Sequence, residues 1–231
     1  MQGTLDCQGY YLAAGIFPQS EVDTLRQLVT EDKGVSGFGV RYYLEHKPAV
    51  LQALLACQNF LRLVRETFSE PVIIKSVYFD KPPRANWTVA WHQDITLNLT
   101  EKLDHPSYSN WRELEDRVAA QPPTELLEQI TAYRIHLDDT DATNGALRIV
   151  EGSHLRGIQR VDEHYHSSAD SVRTLCINAG GVQLMKPLLF HSSRRVEMGD
   201  GEANPRRVIH LEVMEKSLTV GLPLREYFAL D

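Results

Sequence analysis

The chain has 231 residues, of which 42% are hydrophobic and 24% charged, with a formal net charge of −7; this is enough to bury one conventional core, and it excludes a disordered chain. No run approaches the roughly 18 consecutive apolar residues of a membrane span, and the opening MQGTLDCQGYYLAAGIF lacks the basic end and apolar run of a signal peptide. Arg194-Arg195 and Arg206-Arg207 are only short basic pairs, and Cys7, Cys57 and Cys176 form neither a disulfide framework nor a CxxC site, so the expectation is one cytoplasmic domain over 1–231, with neither nucleic acid nor membrane as partner.

Ser20-Glu-Val-Asp23 reads as a capping box, and Val22, Leu25, Leu28 and Val29 continue it at helical spacing. A second helical run covers about Pro48 to Phe68, so residues 1–70 are expected to be mainly helical. From Pro71 the texture changes to β-branched and aromatic residues, Val72, Ile73, Ile74, Val77 and Phe79, closed by Pro82-Pro83. Residues 95–129 interrupt this rhythm. Asn110–Ala120 and Pro123–Gln129 look like short helices, and the whole insertion reads as a lid or substrate loop, with a peripheral helical excursion as the alternative. Ile130–Leu137 is a strand candidate, and Asn144-Gly145 predicts a hairpin from it into Ala146–Val150. Further strands are expected over Val172–Ile177, Val182–His191 and Arg206–Met214, with turns at Gly180-Gly181 and Gly199-Asp-Gly201. Helices followed by many short strands indicate an α+β, mainly β fold with a barrel or jelly-roll sheet.

Trp91-His92-Gln93-Asp94 places an imidazole and a carboxylate two residues apart, on one face of a strand, where both can reach one metal ion. Two histidines and one carboxylate leave three positions of an octahedral ion open, the arrangement of non-haem Fe(II) oxygenases. The spacing alone does not choose, because His136-Leu-Asp138 and His210-Leu-Glu212 repeat it and His164-Tyr-His166 offers another pair.

Four ordered blocks carry more information: WHQD at 91–94, RIHLDDTDATNGALRIVEGSH at 134–154, GGVQLMKPLLFHSS at 180–193 and PRRVIHLEV at 205–213. Together they resemble the phytanoyl-CoA dioxygenase-like (PhyH) family of Fe(II)/2-oxoglutarate-dependent oxygenases, over about 71–214. The resemblance implies a double-stranded β-helix core, cupin-like, with iron bound by His92, Asp94 and His191, 2-oxoglutarate as co-substrate and O2 as oxidant. It also implies release of succinate and CO2, and oxidation, usually hydroxylation, of an unactivated C–H bond. Family members that halogenate lack the carboxylate that Asp94 provides. The substrate itself is beyond the sequence, with a small metabolite as the expectation; oligomeric state is not readable.

The distal carboxylate of 2-oxoglutarate needs a cation, and a planar guanidinium can give it two parallel hydrogen bonds. In the family this arginine follows the second histidine by about ten residues, whereas Arg206 and Arg207 lie further along, after an extra loop at Met198–Ala203. Alternation puts Arg207, Ile209, Leu211 and Val213 on one face and Arg206, Val208, His210 and Glu212 on the other. The apolar set should pack under helices, which favours Arg206 for the co-substrate and leaves Arg207 as the alternative. The resemblance adds Arg134 as a 2-oxoglutarate contact, with an interstrand ion pair as its alternative. Tyr78 and Lys81 are candidates for hydrogen bonds to the co-substrate, Lys186 is read as this or a solvated side chain, His154 as structural, and Trp91 as packing beside the metal. Two rival readings remain: a catalytically silent β-helix binding protein, and a cupin-like metalloprotein that does not use 2-oxoglutarate.

Overall fold

The fold is that of a computed structural model, which describes residues 1–30, 39–81, 88–159, 171–195 and 205–230. Its strands in chain order are β1 (Tyr10–Ala13), β2 (Val40–Arg41), β3 (Pro71–Lys81), β4 (Val89–His92), β5 (Leu97–Leu99), β6 (Ser109–Leu114), β7 (Arg117–Gln121), β8 (Thr131–His136), β9 (Leu147–Val150), β10 (Val172–Leu175), β11 (Val182–Met185), β12 (His191–Ser193), β13 (Arg206–Glu215) and β14 (Phe228–Ala229). One sheet runs β1-β11-β8-β13-β3-β14, with β2 also on β3; a second runs β10-β9-β12-β4, and a small third runs β5-β7-β6. These are the sheets of a jelly roll, with strands that alternate between two layers.

The helices are α1 (Gln2–Gln8), α2 (Gln19–Thr30), α3 (Tyr43–His46), α4 (Pro48–Ala56), α5 (Gln58–Arg65) and α6 (Thr124–Glu128); α2 lies where the apolar periodicity places it, and the run from Pro48 is split into α4 and α5 at Cys57. Pro48 begins α4, where its missing N–H costs nothing. The Ser20 box does not form, because α2 already begins at Gln19 and the Asp23 carboxylate accepts instead from the Gln19 side chain at 2.8 Å and from Arg26 at 3.1 Å.

Side-chain alternation divides the large sheet into two surfaces. Tyr133 and Ile135 of β8 and Ile209, Leu211 and Val213 of β13 join Val22, Leu25, Val50, Leu54, Phe60 and Val64 in one core beneath the helices. Between the sheets, Ala132, Met185, Leu147, Ile149, Leu175 and Leu189 fill the interior at one end. The neighbouring inward positions on β8 and β13 are polar and buried: Arg134, His136, Arg206, His210 and Glu212. The interior is therefore packed at one end and a polar cavity at the other.

Three further expectations are corrected. Asn144-Gly145 does form a turn, with Asp141 Oδ1 accepting from the Thr143 and Asn144 amides at 2.7 and 3.2 Å and Gly145 at φ 81°, but it is not a hairpin. β8 pairs with β11 and β13, while β9 pairs with β10 and β12, so the turn carries the chain from one layer to the other. Residues 110–120 are not helical; β6 and β7 form a hairpin around Glu115-Asp116, paired onto β5. The expected strand 182–191 is broken by Lys186–Phe190, which contains Pro187. The turns at Pro82-Pro83 and Gly199–Gly201, the His164–His166 pair and the Met198–Ala203 loop lie outside the described residues.

Candidate metal centre

His92 ends β4 and His191 begins β12, and the two stand directly opposite each other in the antiparallel pair. Their ring centroids are 4.1 Å apart. Asp94 lies just past the strand, where its amide donates to the Pro187 carbonyl at 2.9 Å. Its carboxylate oxygens sit 3.8 Å from His92 Nε2 and 3.6 Å from His191 Nε2. Gln93, buried between the two ligands in sequence, donates to the carbonyls of Gly157 at 2.9 Å and Leu188 at 2.6 Å and accepts from the Gln159 amide at 2.8 Å. Both Gln93 and Asp94 thus tie the β4 end to the 187–188 segment that delivers His191.

The tautomers follow from the outer hydrogen bonds. His92 Nδ1 lies 2.8 Å from the Ala90 carbonyl and His191 Nδ1 2.8 Å from the Leu189 carbonyl. A carbonyl only accepts, so each Nδ1 carries the proton and each Nε2 lone pair points at the shared space with Asp94. Burial pushes His191 down to about 4, against the opposing pull of Asp94, so the imidazole is neutral near pH 7. Burial alone would raise Asp94, but His191, His210, His92 and Lys75 hold its carboxyl well below the usual range. For His191 and Asp94, a neutral imidazole and an ionised carboxylate are the protonation states a divalent ion needs.

His210 and Glu212 also approach Asp94 closely enough to be considered as a second ligand group. Their partners argue otherwise. Arg134 Nη1 lies 3.2 Å from His210 Nδ1 and can only donate, so Nδ1 accepts and Nε2 carries the hydrogen. Lys75 Nζ donates to Glu212 at 2.6 Å and to the Thr96 carbonyl at 2.9 Å, filling the place a cation would take. This second group is a hydrogen-bonded wall.

A cavity of about 570 Å³ adjoins the triad and is lined in part by His92, Asp94, His191, Arg134, Arg206, His210 and Ser193. Arg206 is 3% exposed, and its Nε and Nη1 have no partner among the described residues; the same holds for Arg134 Nε and Ser193 Oγ. Burial, then the Arg134 charge, lowers Arg206 to about 9, and burial lowers Arg134 to about 10, so both remain cations at neutral pH. Buried guanidinium hydrogens without acceptors are costly. A dicarboxylate beside the triad would satisfy them, and the donor set therefore fits both a divalent ion and 2-oxoglutarate.

The remaining sequence candidates separate cleanly. Arg207 is bound from Nε and Nη2 to both Asp138 oxygens, at 2.8 and 2.6 Å, which removes it from the cavity and explains Asp138 as its partner. His136 shares the Arg134 face, with Nδ1 2.9 Å from Thr140 Oγ1. Tyr78 does not reach the site: it stacks on Tyr43 at 4.8 Å within the core beneath the helices, because its partner Ile209 on β13 faces that core and Tyr78 shares its side of the sheet. Lys81 is fully buried and donates to the Arg194 carbonyl, and Lys186 reaches the Glu128 carbonyl at 3.1 Å. His154 Nε2 donates to the Asp6 carbonyl at 2.9 Å, a structural tie between α1 and its neighbour. Trp91 packs under the Arg148 guanidinium rather than on the cavity wall. Sequence reasoning missed Lys75, a lone charge in the apolar run 72–77, and the supporting Gln93.

Comparisons with known proteins bear on the fold and the family. No curated protein matches the sequence. HygX from Streptomyces hygroscopicus, crystallised with nickel and 2-oxoglutarate bound, superposes with a TM-score of 0.65 at 17% identity, covering 93% of this chain and 86% of that one. The non-heme monooxygenase ThoJ in its apo form gives 0.66 at 14% identity, over 92% and 76%. The alpha ketoglutarate dependent carbocyclase SnoK from nogalamycin biosynthesis gives 0.62 at 16%, over 92% and 82%. At such identities the likeness establishes the fold, a cupin-like jelly roll. The family model for phytanoyl-CoA dioxygenase (PhyH) matches residues 5–197, and with most of its length covered in this way the chain belongs to that family.

Proposed function

We propose that this chain is an Fe(II)- and 2-oxoglutarate-dependent dioxygenase that hydroxylates an unactivated C–H bond of a small molecule. The observation that carries the reading is one cavity wall holding both a triad of His92, Asp94 and His191 with Nε2 directed inward and two buried guanidiniums with open N–H groups. Iron and 2-oxoglutarate, when bound, supply activation of O2 and the oxidant for the C–H bond, with release of succinate and CO2.

The protein's own residues set the conditions for that chemistry. His92, Asp94 and His191 would hold the ion and leave its other positions open. Arg206 is the residue for the distal carboxylate, since Arg207 is already saturated by Asp138. Arg134 is a second donor to the same compartment, held by His210 and by the Phe79 ring, 5.6 Å from its guanidinium carbon. Asp94 favours hydroxylation, because a halide would need its ligand position. Solved relatives of the same fold include a carbocyclase and an epimerase, so the oxidation outcome is set by how the substrate is placed.

The test is an anaerobic titration of the metal-free protein with Fe(II) and then 2-oxoglutarate, following the visible charge-transfer band of the chelate, with His191→Ala as control. The band is expected in the native protein and not in the variant. Folded native protein without the band would overturn the proposal in favour of a silent binding protein or a metalloprotein using another ion.

A further inference from the structure

The small sheet presents two unlike faces. Leu97, Leu99, Val118 and Ala120 enter an apolar cluster with Val72, Ile74 and Met214. The alternate positions, Asn98, Arg112, Arg117 and Ala119, line the cavity that holds the triad, with Asn98 and Arg112 both registered against Ala119. Arg41 of β2, registered against Val77, joins them on the same cavity. Alternation could have placed any polar group on this face; it places arginines there, from three separate strands.

These arginines are poorly matched by acids. Arg41 and Arg112 have no partner among the described residues. Arg117 has one, Asp116 Oδ1 at 2.7 Å from Nη1, yet its Nε is buried without a partner and its side chain is only 16% exposed. Among the described residues, six cations line the cavity, Arg41, Lys75, Arg112, Arg117, Arg134 and Arg206, against the carboxylates of Asp94 and Glu212. Asp116 offsets one more, and a divalent ion and the 2-oxoglutarate dianion cancel each other. Three positive charges of the described residues remain unmatched around this concave space, with Arg41 and Arg112 exposed and Arg117 largely buried, and a cleft lined by one sign of charge attracts anions.

We propose that the substrate carries an anionic group, a carboxylate or a phosphate monoester, which Arg112 and Arg117 bind on the roof of the cavity while Arg41 draws it in at the entrance. This rests on the iron and 2-oxoglutarate reading for the charge count, and it adds the substrate's chemical class. Arginine suits the task because its planar fork meets two oxygens of either group.

The experiment uses protein loaded anaerobically with Fe(II) and 2-oxoglutarate, so that the chelate band reports whether the first reading holds. Hexanoate, hexyl phosphate, hexanol and hexylammonium are then titrated by calorimetry at two salt concentrations. The anions are expected to bind at least about 10-fold more tightly than hexanol, to weaken with salt, and to exclude hexylammonium. Whichever of hexanoate and hexyl phosphate binds better identifies the group. Arg112→Gln/Arg117→Gln should lose about 10-fold or more for the anions and little for hexanol, with retention of the chelate band showing that it folds; each single variant should lose several-fold. Equal binding across the panel, no binding by any probe, or anion binding undiminished in these variants would overturn the proposal. If the chelate band never forms, the oxygenase reading fails separately, and the same titrations on the unloaded protein still judge the arginine face.

Discussion

His92 and His191 on one side of Asp94, and His210 with Glu212 on the other, are built from the same residue types within one cavity. At the first pair the Nδ1 hydrogens go to the Ala90 and Leu189 carbonyls, which leaves both Nε2 lone pairs free. At the second, Arg134 donates to His210 Nδ1 and Lys75 occupies Glu212. The difference lies in what sits behind each ring, and it teaches that a His-x-acid spacing becomes a ligand pair only when an acceptor holds the far nitrogen.

The most direct way to break this contrast is to delete one histidine from each group and measure Fe(II) affinity by calorimetry. His191→Ala removes a ligand and should weaken binding by more than about 100-fold, whereas His210→Ala removes only a wall residue and should stay within the 10–100-fold typical of outer contacts. Equal losses would mean that the second group also binds metal.

A second contrast separates two adjacent arginines. Arg206→Gln takes a charge-assisted pair from 2-oxoglutarate, about 1.5–3 kcal/mol, or on the order of 10- to 150-fold in its dissociation constant. Arg207→Gln instead breaks the half-buried bond to Asp138. It should lower the unfolding free energy by about 1–3 kcal/mol and leave 2-oxoglutarate affinity within about 3-fold. Chelate-band titration and denaturant melts on both variants check this, and the reverse pattern would exchange the two assignments.

That distinction was legible in the sequence because a strand has a period of two: phasing β13 on Ile209, Leu211 and Val213 sends Arg206 inward. Applying the same phase to its partner β3 would have sent Lys75, Val77 and Phe79 inward and Tyr78 outward, as their registers with Glu212, His210, Val208 and Ile209 require. Tyr78 was misplaced because its strand was read for composition and not for phase. The choice of His92, Asp94 and His191 as candidate ligands came from the block resemblance, since spacing alone left three His-x-acid pairs open. What sequence did not reveal is pairing over distance. Asn110–Ala120 is rich in the helix formers Arg, Glu, Leu and Ala, and its Glu115-Asp116 turn carries neither glycine nor proline, yet β5 supplies a strand edge that overrides the local preference. The Asn144-Gly145 turn was legible for its backbone and misread for its partners, which lie in another layer.

The smallest expected effect concerns Lys81, which shares the inward face of β3 and is registered against Arg206. It is fully buried beside the Arg194 carbonyl, and burial, then the Arg206 charge, lowers it from 10.5 to about 8. Between those two values the unfolded chain binds the proton that the folded chain has released, so stability rises with pH across this window. Below about 8 both states are protonated and the folded protein carries the full penalty of the buried ammonium. From pH 7 to 9 the gain should be about 1 kcal/mol, on the basis of 1.36 kcal/mol per pKa unit. Lys81→Met should abolish this component, so the measurement is the difference between the two proteins' denaturant-derived stabilities at each pH, which cancels the titration of other groups. A difference that does not change from pH 7 to 9 would mean that Lys81 keeps an ordinary pKa and that its carbonyl partner fully compensates its burial.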